Sequence, residues 1–178
     1  MIEIRIHGRG GQGAVTTSQL LAIGAFEDGK QSQGFPAFGV ERRGAPSNAF
    51  VRIDDKSIDI RSQIYNPDVV LVLDASLFNA INVTEGLKKN GMIIINSAKK
   101  PEEFRLDKFK IYTVDATHIA MEVFGKPIVN TAVVGAYAAI SGQISLDSLL
   151  KACDQRFKGE IAEKNKELVK KTYEALKK

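Results

Sequence analysis

One cysteine, Cys153, and two histidines, His7 and His118, are all that 178 residues offer of the common soft metal ligands. A lone cysteine excludes an internal disulfide. It equally excludes a cysteine-ligated iron–sulfur cluster or a structural zinc site built from these residues alone. No HExxH spacing and no carboxylate triplet makes up the shortage, so no protein-ligated metal is expected. Apolar residues never run uninterrupted for the roughly 18 positions that a membrane-spanning helix needs. The opening residues, MIEIRIH, show no basic flank followed by an apolar run, so no secretory signal is read there. The expectation is a cytoplasmic protein that does not engage a membrane.

Excess charge is also scarce. The net +4 lies entirely within residues 151–178, which hold nine Lys/Arg against five Asp/Glu, while residues 1–150 balance. The tail KGEIAEKNKELVKKTYEALKK reads as a solvated helix, with Glu160/Lys164 and Glu167/Lys171 paired at i,i+4. Acids dilute its bases and Tyr173 is its one aromatic, so nucleic acid is not the expected partner.

What is present is an ordinary globular mixture, 44% hydrophobic and 26% charged, enough for a single domain over 1–178. Ile2, Ile4 and Ile6 alternate with Glu3 and Arg5, the pattern of a strand buried on one face. GRGGQG follows at residues 8–13, and AVTTSQLLAIGAFEDG then reads as a helix ending at Gly29. The stretch KQSQGFPAFGVERRGAPSN reads as a long functional loop, with Phe35 and Phe38 arguing against disorder. AFVRIDDKSIDIRSQ suggests two short strands about a turn at Asp54–Asp55. PDVVLVLDAS, MIIINSA and KIYTVDAT read as strands buried on both faces. SLFNAINVTEGLKKNG reads as a helix closed by Gly91. HIAMEVFG, NTAVVGAYAAISG and SLDSLLKACDQRF are further helices.

Strands alternating with helices, and apolar runs too continuous for one-sided burial, predict an α/β fold. The expected form is a three-layer αβα sandwich on a mostly parallel or mixed sheet, with a Rossmann-like strand, glycine loop and helix at its start. Ligands of such folds bind beyond the carboxyl ends of the strands. Here those ends carry His7–Gly8, Asp74, Asn96 and Asp115, residues that would otherwise simply end strands or cap the helices that follow.

Gly8-x-Gly10-x-x-Gly13 fits the dinucleotide fingerprint, and backbone N–H groups at a helix N-terminus suit an anion. A P-loop is excluded because no GK[ST] follows Gly13. An NAD site lacks its ribose-binding acid, since Glu27 and Asp28 fall at the tail of the helix and not at the end of a second strand. A tight turn needing glycine for positive φ remains the alternative. Arg42 and Arg43 stand together on the long loop, where paired guanidinium groups suit phosphate or carboxylate. An ion pair with Glu41 or a contact with another subunit would use them equally well.

GRGGQG after the first strand, FGVERRGAPSNAFVRI after the loop and NTAVVGAYA near residue 130 together resemble the gamma subunit of 2-oxoacid:ferredoxin oxidoreductases, the pyruvate type most closely. The likeness spans nearly the whole chain, and the GVERRGAP block is its most specific part. The resemblance implies a subunit of a heterotetramer with alpha, beta and delta chains. That complex decarboxylates a 2-oxoacid, forms acyl-CoA and reduces ferredoxin. Thiamine diphosphate, magnesium and the iron–sulfur clusters would be held by the partner subunits, and no catalytic residue by this one. Coenzyme A would be contacted here, by Gly8, Gly10, Gly11, Gln12, Gly13, Arg42, Arg43 and Asn130. The competing expectation is a subunit that only braces its partners through the glycine loop and the ERRGAP loop, in the same complex or in a 2-oxoisovalerate-type enzyme; in either role Phe35 and Phe38 are expected as exposed anchors for a partner. A free NAD-binding module is the third reading.

Overall fold

The protein was analysed as a computed structural model, which describes residues 1–37 and 42–177. Six strands form one sheet in the order β2-β3-β1-β4-β5-β6. They are β1 (Ile2–Arg9), β2 (Gln31–Pro36), β3 (Pro46–Asp54), β4 (Val69–Val72), β5 (Met92–Asn96) and β6 (Lys110–Val114). β1, β4, β5 and β6 are mutually parallel, whereas β3 runs antiparallel to both β1 and β2, so the sheet is mixed. The helices are α1 (Ala14–Glu27), α2 (Ala116–Phe124), α3 (Asn130–Ser141), α4 (Leu146–Arg156) and α5 (Gly159–Leu176).

One face of the sheet carries the helices. Ile4, Ile6, Val51, Leu71 and Ile94 meet Leu20 and Leu21 of α1 and buried residues of α2 to α5 in one core. α3 packs so closely on α5 that a Cβ on Gly135 would overlap Val169 O and Thr172 Oγ1. The small-residue run of α3 exists for this approach. The opposite face of β4 and β5 presents Val70, Val72, Ile93 and Ile95 to Leu77, Val83 and Leu87. That second layer is built of 3-10 turns, at Ala75–Asn79 and Pro101–Phe104, and of irregular chain.

Several sequence expectations need correction. Residues 76–91 form no α-helix: after the 3-10 turn, Asn82 Oδ1 accepts from Thr84 N at 3.2 Å, and Gly86 takes φ 68. Asn, Thr and Gly at these places favour turns over helix. The supposed long loop begins with a strand, β2. Gly34 lets it approach α1, since an added Cβ would stand 2.7 Å from Ser18 O. The pair of short strands about Asp54–Asp55 is a single nine-residue strand, β3, and no strand follows it until β4. Carbonyls of the segment after β3 are met by side chains: Arg52 donates to Ser62 O at 2.8 Å and Gln33 to Ile58 O at 2.9 Å. β6 is an edge strand, with only Val114 fully buried. Phe35 is half-buried and not an exposed anchor; its ring lies 5.4 Å from that of Phe50, with the Arg52 guanidinium 5.3 Å from its centroid. Phe38 lies outside the described residues.

β1 is buried on both faces. Beside its isoleucines, Arg5 and His7 are 7% and 3% exposed. Arg5 Nε donates to His7 Nε2 at 3.0 Å, and its outer nitrogen reaches the Val83 and Glu85 carbonyls. Burial, and then the charge of Arg5, lower the His7 pKa to about 4. His7 is therefore neutral in the fold but titrates near 6.5 when unfolded. The unfolded chain binds the extra proton, so this contribution is present above pH 6.5 and is lost as pH falls towards 4. The expected loss is on the order of 3 kcal/mol. Urea midpoints measured from pH 7 to pH 4 check it, and His7→Gln should flatten that part of the profile. An unchanged slope in the variant would remove His7 from the account.

Candidate functional site at the carboxyl edge of the sheet

All four parallel strands end at one edge. β2 also ends there and β3 begins there, because Pro36 pairs with Ala49 and Arg9 with Pro46. The connection between β2 and β3 thus returns to the sheet beside the glycine loop. From β1 the chain builds β2 and β3 on one side and β4 to β6 on the other. The β1/β4 boundary is therefore the reversal point at which α/β sheets open a crevice.

The glycine loop and the arginine loop meet. Gly10 forms a bridge with Arg43, and a Cβ on Gly10 would overlap Arg42 O. Gly10 N donates to Ala45 O at 2.8 Å and Gly44 N to Gly10 O at 3.0 Å. Arg42 and Arg43 themselves are exposed. Gly11 and Gly13 take φ 92 and 85, the left-handed region that favours glycine. Gly13 precedes α1, whose first turn has neither a side-chain cap nor an acid. α3 begins likewise uncapped, at Asn130. The two ends touch: a Cβ on Gly13 would lie 2.7 Å from Asn130 Nδ2, and Thr17 Oγ1 donates to Asn130 O at 3.1 Å. Asn130 Oδ1 is buried without a hydrogen-bond partner. Two helix N-termini with free N–H groups give this edge a positive potential.

Asp74 ties the edge together. Its carboxylate accepts from Arg9 Nε at 3.1 Å, Gln12 Nε2 at 3.0 Å and Ser76 N at 2.9 Å. Gln12 Oε1 in turn accepts from Arg9 N at 2.8 Å. Partial burial alone would raise the Asp74 carboxyl, but hydrogen bonds from Ser76 and Gln12, with the charge of Arg9, outweigh it and hold the group below the usual carboxylate range. Arg9 also donates to Gly44 O at 3.0 Å and Ser76 Oγ at 2.8 Å, so one side chain links three segments.

The structure thus brings Gly8, Gly10, Gly11, Gln12, Gly13, Arg42, Arg43 and Asn130 to one edge. Asn96 lies there too, as a buried tie: its amide donates to Leu73 O at 3.0 Å and accepts from Thr117 N at 3.2 Å. Asp115 only caps α2, accepting from His118 N at 2.9 Å. Arg9, Ser76 and Thr117 were passed over in the sequence. Arg9 sits inside the glycine motif and could have been noticed; nothing marks the other two. Cys153 is buried in the helical layer, and burial pushes its thiol up to about 12, so it is no nucleophile.

These features define an α/β protein with an anion-compatible sheet edge. Residues 3–175 match the family model described as pyruvate ferredoxin/flavodoxin oxidoreductase. The chain is 56% identical to pyruvate synthase subunit PorC of Methanocaldococcus jannaschii, over 100% of this chain and 99% of that one. It is 52% identical to the pyruvate/ketoisovalerate oxidoreductases common subunit gamma of Pyrococcus furiosus, over 98% and 96%. The crystal structure of pyruvate oxidoreductase subunit PORC from Thermotoga maritima superposes with a TM-score of 0.83 at 40% identity, covering 97% of this chain and 95% of that one. The 2-oxoglutarate:ferredoxin oxidoreductase of Magnetococcus marinus, determined with 2-oxoglutarate, coenzyme A and succinyl-CoA, shares the fold at 19% identity and a TM-score of 0.79. The match covers 98% of this chain and 31% of that one. The chain belongs to the pyruvate ferredoxin/flavodoxin oxidoreductase family, as the gamma subunit of a 2-oxoacid:ferredoxin oxidoreductase of the pyruvate synthase kind.

Proposed function

We propose that this subunit forms part of the coenzyme A-binding wall of the assembled oxidoreductase and helps to hold its alpha, beta and delta partners together. The observation that carries the reading is the contact of Gly10 with the Arg42–Arg43 backbone, beside the uncapped start of α1. Backbone N–H groups and two exposed guanidinium groups there suit the pyrophosphate and 3′-phosphate of coenzyme A. The Magnetococcus marinus enzyme, whose fold includes this one, binds that ligand. Thiamine diphosphate, magnesium and the iron–sulfur clusters belong to partner subunits, through which electrons reach ferredoxin. The gamma subunit of Pyrococcus furiosus is common to a pyruvate and a ketoisovalerate enzyme. By the same token, the choice of 2-oxoacid here rests with other subunits.

Arg42→Ala or Arg43→Ala should raise the KM for coenzyme A in the assembled enzyme roughly ten- to hundredfold, as the loss of one charge-assisted hydrogen bond predicts. The KM for the 2-oxoacid should move little. Steady-state titration of both substrates checks this. Unchanged coenzyme A dependence together with weaker subunit association would make the arginine loop a brace instead.

A further inference from the structure

β2 ends the sheet, and little in its sequence defends that edge. It pairs with β3 on one side and with no further strand on the other among the described residues. Edge strands are commonly blunted by charge, yet QSQGFP carries none, and Pro36 stands only at its last position. The ladder fixes which backbone groups face outward. Residues of an antiparallel pair exchange hydrogen bonds at every second position. Ala37 N, one step beyond Pro36, donates to Asn48 O at 2.9 Å, so Phe35 and Gln33 also bond to β3. Ser32 and Gly34 therefore turn their N–H and C=O groups away from the sheet. Pro36 faces the same way, where its missing N–H takes nothing from the ladder.

The outer face of α1 runs beside this edge. Residues Ala14 to Phe26 include no charged side chain, although Gln19, Ala22, Ile23 and Phe26 form one stripe that solvent reaches. Phe26 is 67% exposed. An accessible helix stripe without charge has the composition of a surface that is covered in use. Gln19, Ala22 and Ile23, with Gly34 of β2 and Gln155 and Arg156 of α4, line an open groove of about 560 Å³. Arg156 is the one charged residue among them. Its Nε donates to Gln19 Oε1 at 3.1 Å, which leaves its terminal nitrogens uncommitted among the described residues.

We propose that an extended segment of another subunit of the oxidoreductase adds to β2 as a seventh strand, with a carboxylate of that segment on Arg156. Ser32 and Gly34 supply the main-chain bonds from which strand addition draws affinity, and alternate side chains give specificity. On the helical side an apolar side chain enters the groove over Ala22 and Ile23, and Phe26 extends that contact. Gly34 keeps the groove open, since a Cβ there would stand 3.1 Å from that of Ala22. The incoming strand is not the β2 of a second copy, because QSQGFP has no acid to offer Arg156. This rests on the assembly half of the reading above and not on its coenzyme A half.

The test is hydrogen exchange at residue level, by fragmentation mass spectrometry, on the chain alone and in the assembled complex. The Ser32 and Gly34 amides should exchange readily in the chain alone and slow by about tenfold or more on assembly. Those of Gln33 and Phe35, already bonded to β3, should be slow in both. Arg156→Glu and Phe26→Lys, both at exposed positions, should each weaken association with the partner subunits about tenfold or more. The melting temperature of the chain, and the KM for coenzyme A once assembly is saturated, should stay as in wild type. Unchanged Ser32 and Gly34 exchange on assembly overturns the proposal even if Arg156→Glu weakens association, because the surface would then dock side chains and not a strand. Protection that appears in the chain alone as its concentration rises makes the occupant a second copy and also overturns it. If β2 exchange is unchanged while Arg42→Ala raises the KM for coenzyme A, the coenzyme A reading survives without this one.

Discussion

Partner subunits assembled without this chain are expected to show background 2-oxoacid- and CoA-dependent dye reduction, and the chain alone none, with turnover returning only when all are combined. Cleaving a 2-oxoacid leaves a carbanion that needs an electron sink, which is work for a cofactor and not for ordinary side chains. The side chains that could attempt covalent or acid–base chemistry are poorly placed here. Cys153 is buried with its thiol pushed up to about 12. His7 is buried against Arg5. His118 lies on the outside of α2, 3.2 Å from Glu122. Turnover by the chain alone would refute this division of labour. Full CoA-dependent turnover by the partners without it would show the chain to be dispensable, and its coenzyme A role would go too.

Gly10→Ala should be the most damaging single-carbon change at the site. The added Cβ overlaps Arg42 O, a backbone atom that cannot swing aside. Relief requires the arginine loop to move off the glycine loop, breaking the Gly10–Ala45 and Gly44–Gly10 hydrogen bonds. Arg42 and Arg43 would both be displaced together, unlike the loss of either alone. Misplacing binding groups by about an ångström costs on the order of a hundredfold in rate. We therefore expect kcat/KM for coenzyme A to fall by at least that factor, with the melting temperature of the isolated chain changing little, because the helical core lies elsewhere. A Gly11→Ala companion separates strain from collision: its Cβ would meet nothing within 4 Å, though its φ of 92 is unfavourable for alanine. Near-normal kinetics for Gly10→Ala would mean that the contact between the loops is incidental.

The elements readable in advance were those with a local cause. Val69–Val72 and Met92–Asn96 are apolar without alternation because both faces of these strands are covered. The glycine loop was legible from its neighbours, an alternating strand before it and a helical pattern after it. β2 was not, because QSQGFP is polar and contains glycine and proline. It becomes a strand through contacts made far away in sequence, Phe35 on Phe50 and Gly34 under Ser18. Residues 76–91 misled in the opposite direction: their apolar spacing suggested a helix, but Asn82 and Gly86 enforce turns, and the layer needs only Leu77, Val83 and Leu87 to face the sheet.

By itself, the sequence determined the kind of protein. It set an α/β sheet with its glycine turn at one edge, no cysteine framework, and a block of residues specific enough to name the family. Composition and short-range pattern suffice for this, since strand burial and turn chemistry act within a few residues. Only the tertiary structure decided that Gly10 meets Arg42 and Arg43, that Gly13 meets Asn130, and that Arg9, Asp74 and Ser76 form one network. Asp74 lies 65 residues beyond Arg9 in the chain. Such partners are chosen by the order and direction of the strands, which depend on how the whole sheet packs beneath its helices.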